Sequence, residues 1–168
     1  MPSGTLISVE DYLATSYRPD CDYVDGRIEE RNLGELDHSS LQTAVAAYFF
    51  SRRKQWNITV VVEQRVQVSS QRFRIPDVCV VLGEPDGQIF RQPPFICIEI
   101  LSKDDRMTEM QQRINDYLTM GVGYVWVLDP SGRQVYIATA ASGLHEFKGE
   151  VLKTENPALE LPLAEVFA

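Results

Sequence analysis

Two acidic residues, Asp77 and Glu99, lie inside runs of apolar residues where an ionised carboxylate is costly. Glu99 interrupts residues 95–102, which read FICIEILS, and Asp77 follows Pro76 in residues 74–81, which read RIPDVCVV. A carboxylate buried in such a strand needs compensation for its lost hydration. The residue types therefore indicate that each acid has a partner, and a site for a cation or for catalysis is one explanation.

The segment around Glu99 alternates as a β-strand does, and both of its faces are apolar. Ile96, Ile98 and Ile100 share one face, and Cys97, Glu99 and Leu101 share the other. A strand that is apolar on both faces is predicted to be central in its sheet. Pro76 cannot donate to a ladder, which predicts a strand edge, a strand end or a bulge next to Asp77. Such irregular positions can direct a side chain into a site.

If the two strands are neighbours, the carboxylates of Asp77 and Glu99 meet and raise each other's pKa. A divalent cation would relieve that repulsion. Two carboxylates without nearby His or Cys favour a hard ion, Mg²⁺ or Mn²⁺, which polarises a phosphoryl group and activates water. Two structural alternatives remain open at this point. Asp77 is a turn residue after proline in one, and Glu99 forms an ion pair with an arginine such as Arg74 in the other.

Hydrophobic periodicity predicts the elements that position these acids. They are a short helix capped by Ser8, a hairpin over 21–31 that turns at Asp25-Gly26, a helix over 38–54 capped by Asp37 or Ser39, strands over 60–68 and 73–82, the Glu99 strand, a helix over 105–120 ended by Gly121, strands over 124–128 and 134–139, and a small helical cap in the tail. The order predicts an α/β or α+β domain, with a central mixed sheet flanked by helices, over residues 1–168.

Composition favours a cytoplasmic protein. No stretch approaches the roughly 18 apolar residues of a membrane span, and the first residues lack the pattern of a signal peptide. Cys21, Cys79 and Cys97 are far apart and form no C-x-x-C pair, which is typical of buried thiols in a reducing compartment. With only two histidines, a histidine-based zinc site is not expected.

The net charge of −8 argues against a simple DNA-binding surface. Two local basic clusters oppose it, residues 52–54 (RRK) and the pair Arg72 and Arg74. They could form a basic strip on an acidic protein.

Several of these segments in series resemble a known family. P-D (76–77), I-E-I-L-S (98–102), D-Y-L-x-M-G-V (116–122) and Y-V-W-V-L-D-P (124–130) are similar to the restriction-endonuclease-like family of the PD-(D/E)XK phosphodiesterase superfamily. The similarity extends from about residue 12 to residue 139. It implies the restriction-endonuclease-like core and divalent-metal-dependent hydrolysis of DNA. On this resemblance Asp77 and Glu99 are metal ligands, and the backbone carbonyl of Ile100 is the third.

The chain departs from the family at the catalytic lysine. Leu101 occupies the motif position, and Arg113 occupies the helix position from which many relatives supply the lysine instead. Arg113 stays charged and is a poor proton acceptor. Lys103 is the other candidate; it shares the facing of Glu99 but lies about 13 Å along an ideal strand.

His38 and Glu63 are second-tier candidates for contact with the site or the substrate, although His38 could simply be an exposed residue near a helix start. The leading interpretation is an endonuclease that cleaves DNA with Mg²⁺. The alternatives are a catalytically weak or inactive relative that binds nucleic acid or a protein, and an acidic structural module. Members of such families often dimerise, so we also expect a homodimer, with the strand at 124–126 and the hairpin after it as one apolar surface.

Overall fold

The computed structural model describes residues 4–167. In chain order the elements are α1 (Val9–Ala14), β1 (Cys21–Val24), β2 (Arg27–Glu30), α2 (Leu36–Ser51), α3 (Arg53–Trp56), β3 (Ile58–Val62), β4 (Val66–Ser69), β5 (Arg72–Arg74), β6 (Val78–Leu82), β7 (Ile96–Ile100), α4 (Met107–Met120), β8 (Tyr124–Asp129), β9 (Gln134–Thr139), β10 (Gly143–Phe147), β11 (Val151–Lys153), β12 (Glu160–Pro162) and a 3₁₀ turn (Leu163–Glu165).

The main sheet has the strand order β10-β9-β8-β7-β6-β3. Its β7 and β8 run parallel, and its other neighbours run antiparallel, so the sheet is mixed. Every residue of β7 is buried, and β7 lies between β6 and β8. The predicted fold class and the central position of the Glu99 strand are therefore confirmed.

One helix covers each face of this sheet. The apolar stripe of α2 packs on one face together with Ile96, Ile98 and Ile100 of β7. On the other face α4 packs against Cys97 of the same strand. Because side chains alternate along a strand, Glu99 shares the face of Cys97 and points toward α4. The sheet thus presents the glutamate to the helix that carries Arg113.

The N-terminal helix and hairpin form as predicted. The Ser8 hydroxyl accepts a hydrogen bond from the Asp11 amide (3.0 Å) and caps α1. Asp25 and Gly26 both have positive φ, at 50° and 88°, as a tight two-residue hairpin turn requires. This hairpin belongs to a smaller sheet with the order β2-β1-β5-β4.

Two predicted strands are each broken in two. Glu63 takes a left-handed φ of 49° and ends β3, so β4 continues in the smaller sheet instead. The predicted strand over 73–82 breaks at residues 75–77, where the chain passes from β5 to β6. The single-strand predictions were wrong because the alternation of apolar residues continues across both breaks. Pro76 lies between two strands, as its missing N–H requires.

Several boundaries also differ from the predictions. Helix α2 begins at Leu36 with Glu35 as N-cap and no side-chain cap, so Asp37 and Ser39 do not cap it. Gly121 ends α4 with a φ of 112°, as predicted. Strands β10, β11 and β12 were not predicted, while the 3₁₀ turn confirms a small helical element in the tail.

The expected apolar surface at residues 124–126 is wrong, because β8 lies inside the sheet. Trp126 is buried, and its ring lies 6.3 Å from that of Phe49 on α2. Within residues 4–167, none of the helices combines the length and the apolar character needed to cross a membrane.

Candidate active site

Asp77 is held where the chain enters β6. Its Oδ2 accepts a hydrogen bond from the backbone N–H of Ile100 (2.7 Å), and its own carbonyl accepts one from the Gln42 side chain (3.1 Å). The residue is buried, with 2% of its surface exposed. It is therefore not an ordinary turn residue after proline, and that alternative is wrong.

Arg31 and His38 contact the other oxygen of Asp77. Arg31 donates to Oδ1 at 3.0 Å, and His38 Nε2 lies 3.4 Å from the same atom. Burial would raise the pKa of Asp77, but the hydrogen bond from His38 and the charge of Arg31 hold it below its ordinary value. The same hydrogen bond raises the pKa of His38. His38 is consequently a partner of Asp77 rather than an exposed residue.

Sequence reasoning missed Arg31 and Gln42. Arg31 follows the hairpin and is 46 residues from Asp77, so no local pattern relates the two residues. Gln42 lies on α2 between residues of the apolar stripe and carries no motif.

Glu99 is buried and in contact with α4. The Tyr117 hydroxyl donates to its Oε1 at 2.5 Å. Burial and the charge of Asp77 raise the pKa of Glu99 to about 8, against the opposing charges of Arg113 and Arg31. Tyr117 belongs to the D-Y-L-x-M-G-V segment of the sequence, but its contact with the glutamate was not predicted.

The register of the two strands brings the carboxylates together. Strands β6 and β7 pair with Val78 opposite Ile98, so the next step places Asp77 opposite Glu99. The expectation that these strands are neighbours is confirmed.

The carbonyl of Ile100 points to the side of β7 on which Asp77 lies. Leu101 donates its backbone N–H to Leu128 on β8, so the backbone groups of Ile100, one residue earlier, face away from β8. Its N–H indeed reaches Asp77, and in a strand the carbonyl of a residue points to the same side as its N–H.

The two candidates for the missing lysine lie in different environments. Arg113 is buried on α4, with its Nε 3.4 Å from Asp22 Oδ2, and the charge of Glu99 counteracts the effect of burial and raises the pKa of Arg113. Lys103 is exposed, and its ammonium pairs with Glu35 at 2.7 Å. The fold therefore brings Arg113 to the carboxylates and leaves Lys103 in solvent.

Arg74 does not pair with Glu99, so that alternative is wrong. The Arg74 guanidinium is buried and bonds three other carboxylates, those of Asp22 (3.1 Å), Glu29 (2.9 Å) and Asp116 (2.8 Å). Asp22 and Asp116 were not singled out in the sequence, although Asp116 is one of the residues in the D-Y-L-x-M-G-V segment.

A cavity of about 430 Å³ opens beside Asp77. Its lining includes Arg18, Arg31, His38, Gln42 and Glu63. Glu63 is exposed at this cavity, and its backbone N–H donates to the carbonyl of Asp77 (3.2 Å). Both second-tier candidates thus lie next to Asp77.

The ligand set fits a hard divalent ion with a largely aqueous shell. Among residues 4–167, no three His, Cys, Asp or Glu side chains come together as ligands, so protein atoms would supply two carboxylates and the Ile100 carbonyl. Mg²⁺ commonly binds through one or two carboxylates and keeps several waters. Tyr117 occupies Oε1 of Glu99, which leaves Oε2 for the ion. A cation would also offset the charge that raises the pKa of Glu99.

Comparisons with known proteins agree with this fold. A solved structure described as a putative nuclease belonging to DUF820, from Anabaena variabilis ATCC 29413, superposes with a TM-score of 0.82 and 24% sequence identity, over 96% of this chain and 97% of that one. No curated protein matches the chain. The family model Uma2, described as putative restriction endonuclease, matches residues 9–167. The chain therefore belongs to the Uma2 family.

Proposed function

We propose that this protein is an endonuclease that hydrolyses DNA phosphodiester bonds with Mg²⁺ or Mn²⁺ bound by Asp77, Glu99 and the Ile100 carbonyl. The observation that carries the proposal is the buried carboxylate pair, in which burial and then the charge of Asp77 raise the pKa of Glu99 to about 8. A perturbed carboxylate pair is typical of functional sites, and a bound cation would relieve the repulsion between the two acids.

The bound ion would polarise the phosphoryl group and activate the attacking water. The chain's own residues then have separate tasks. Tyr117 orients Glu99, and the Ile100 amide orients Asp77. Arg113 places a permanent positive charge near Glu99, where it would offset charge developing on the phosphate.

The cavity beside Asp77 supports a phosphate-containing substrate. Its lining holds Arg18, Arg31 and His38 beside the acids Asp20, Glu63 and Asp77, so guanidinium groups are present at an opening on a protein of net charge −8. Guanidinium groups bind phosphate oxygens with paired hydrogen bonds.

The proposal includes a cytoplasmic location and a homodimer. The free and buried thiols of Cys21, Cys79 and Cys97 support the reducing compartment. The dimer would present two sites to the two strands of a duplex.

The first test is calorimetric titration of Mn²⁺ and Mg²⁺ into the metal-free protein. The wild type is expected to bind at micromolar to millimolar levels, and Glu99→Gln and Asp77→Asn to lose binding at least about tenfold, since each removes an anionic ligand. Glu146→Gln is the matched control, because it makes the same change on an exposed strand. A wild type that binds neither ion would contradict the proposal.

The second test is a plasmid-nicking assay, which separates an active enzyme from the inactive binding protein that remains the alternative. The position of Lys103 in solvent and the poor basicity of Arg113 favour that alternative. If the protein is active, Arg113→Met should abolish nicking and Lys103→Ala should leave it unchanged. Metal binding without nicking, together with retention of DNA on the protein, would favour the binding role.

A further inference from the structure

The two free edges of the six-stranded sheet differ in how they are protected. At one edge, β10 carries His145 and Glu146 and is followed by Lys148. At the other edge, β3 reads ITVVV and carries no charge. Sheets normally protect a free edge with charged side chains, because unpaired backbone groups would otherwise pair with another chain. The β3 edge lacks this protection.

The hydrogen bonds at the ends of β3 identify its free backbone groups. The Asn57 carbonyl accepts from Gly83, and the Glu63 amide donates to Asp77, so both of these odd-numbered positions face β6. Backbone groups alternate in direction along an antiparallel strand. The outward N–H and C=O groups therefore belong to Ile58, Val60 and Val62.

An apolar groove of about 780 Å³ runs between α2 and β3, and we call it the α2/β3 groove. Its lining includes Ala46, Ala47 and Phe50 of α2 and the end of β3. Phe50 and Val62 are 51% and 48% exposed. Polar residues, Gln42, Thr43, Glu63 and Gln64, complete the lining, and a largely apolar surface with such a polar rim is typical of an interaction site.

We propose that the β3 edge and the α2/β3 groove form the interface with a second copy of this chain, through antiparallel pairing of β3 centred on Val60. Val60 then lies on the two-fold axis, and Ile58 lies opposite Val62 of the partner subunit. Every outward backbone group of β3 gains a hydrogen-bond partner in this register. Both α2 helices lie on the same face of the joined sheet. The exposed side chains of each copy, Phe50 and Val62, therefore pack against the α2/β3 groove of the other.

The charges at the two ends of β3 support a second copy as the occupant. Glu63 follows the strand, and the basic residues Arg53 and Lys54 precede it in α3. Pairing centred on Val60 places Glu63 opposite Asn57 of the partner subunit, directly after the partner's basic helix. The acidic end of each copy therefore meets the basic end of the other, twice by symmetry.

This interface also reaches the candidate active site, and that part of the inference rests on the proposed function. The Glu63 N–H bonds the Asp77 carbonyl, and Glu63 lines the cavity beside Asp77. The partner's residues 52–54 would thus bring positive charge to the opening where DNA must enter.

The oligomeric state in solution tests the interface without metal or DNA. Sedimentation velocity of the full chain should show a dimer, and Val62→Lys should weaken it at least about tenfold, since each copy would then place an ammonium group against the apolar edge of the other. Met107→Lys is the matched control, because Met107 is similarly exposed (50%) but lies on α4. A monomeric wild type, or a Val62→Lys variant that dimerises normally, would overturn the inference.

A charge exchange tests the register. Lys54→Glu should weaken the dimer, and the double variant Lys54→Glu/Glu63→Lys should restore it. Restoration would require that the two residues meet across the interface, whereas an unrestored dimer would contradict the Val60-centred pairing.

Disulfide trapping gives a second, independent measurement. Val60→Cys should form an intermolecular disulfide under mild oxidation with diamide, because the two copies of residue 60 lie side by side on the axis. Leu144→Cys on the β10 edge is the control and should remain monomeric on a non-reducing gel; the three native cysteines are buried. Trapping through residue 144 alone would place the interface at the β10 edge and contradict the proposal. A trapped dimer that binds no Mn²⁺ would remove the proposed function and leave the interface intact.

Discussion

Two groups of mostly buried acids lie close together in this fold and differ in their charge balance. The Arg74 cluster, formed by Asp22, Glu29, Arg74 and Asp116, places a guanidinium in contact with three carboxylates. In the carboxylate pair, Asp77 and Glu99, the basic residues within 4–167 that bond directly, Arg31 and His38, contact Asp77, and the pKa of Glu99 rises to about 8.

The difference shows that burial of an acid does not by itself identify a functional site. In the Arg74 cluster each carboxylate bonds a guanidinium, although Asp22 Oδ1 and Arg74 Nη2 form no hydrogen bond within residues 4–167; such a network of direct ion pairs is typical of a structural cluster. In the carboxylate pair the second acid is held by a tyrosine hydroxyl and lacks a bonded cation. Arg113 lies between the two groups, near Asp22 and within the electrostatic influence of Glu99.

The largest effect is expected from Arg74→Met. Loss of the guanidinium leaves Asp22 and Asp116 without their buried partner, so the free energy of unfolding should fall by about 3–5 kcal/mol. Urea denaturation followed by circular dichroism measures this change. Arg72→Met is the matched control: Arg72 also bonds Asp116 but is 36% exposed, and its loss should cost less than about 1 kcal/mol. Equal losses would mean that Arg74 does not dominate the cluster.

The pH dependence of stability distinguishes the carboxylate pair. The folded protein holds a proton on Glu99 up to about pH 8, whereas the unfolded chain releases it near the ordinary value of 4.5. Stability should therefore fall as the pH rises between these values, by at most ~1.4 kcal/mol per pH unit.

Urea midpoints at pH 6 and pH 8 measure that slope, and Glu99→Gln should flatten it because the amide does not titrate. Added Mn²⁺ should restore more stability at pH 8 than at pH 6, since the ion competes with the proton. Equal slopes in the wild type and in Glu99→Gln would show that the pKa of Glu99 is not raised. Glu99 would then be balanced in charge, as the acids of the Arg74 cluster are.

The sequence alone predicted much of the carboxylate pair and little of the Arg74 cluster. Asp77 and Glu99 are visible because each interrupts an apolar run, and strand alternation predicts their facing. Arg31, Asp22 and Tyr117 carry no such local signal, because their roles depend on contacts made across the fold. The break of the first strand at Glu63 has no local signal either, whereas Pro76 marks the break at residues 75–77.

A smaller effect is expected from Arg113→Met. The free energy of unfolding should fall by about 1–2 kcal/mol, because Asp22 loses one of its two arginine partners. The charge of Arg113 lowers the pKa of Glu99, so its removal should also shift the pH-dependent loss of stability to higher pH. Arg113→Lys keeps the charge, so the loss of stability should occur over the same pH range as in the wild type. An unshifted titration in Arg113→Met would show that the two groups are electrostatically independent.

The smallest effect is expected from Glu29→Gln, in the same cluster that gives the largest. Glu29 bonds Arg74 at 2.9 Å, but its side chain is 41% exposed, so water replaces much of the lost interaction. The free energy of unfolding should fall by less than about 1 kcal/mol, and the difference from wild type should shrink in high salt. Asp22→Asn, made on a fully buried partner of the same arginine, should cost clearly more in the same urea titration. Equal destabilisation of the two variants would show that burial does not decide which contacts of Arg74 are strong. The contrast between the Arg74 cluster and the carboxylate pair would then rest on the number of charges alone.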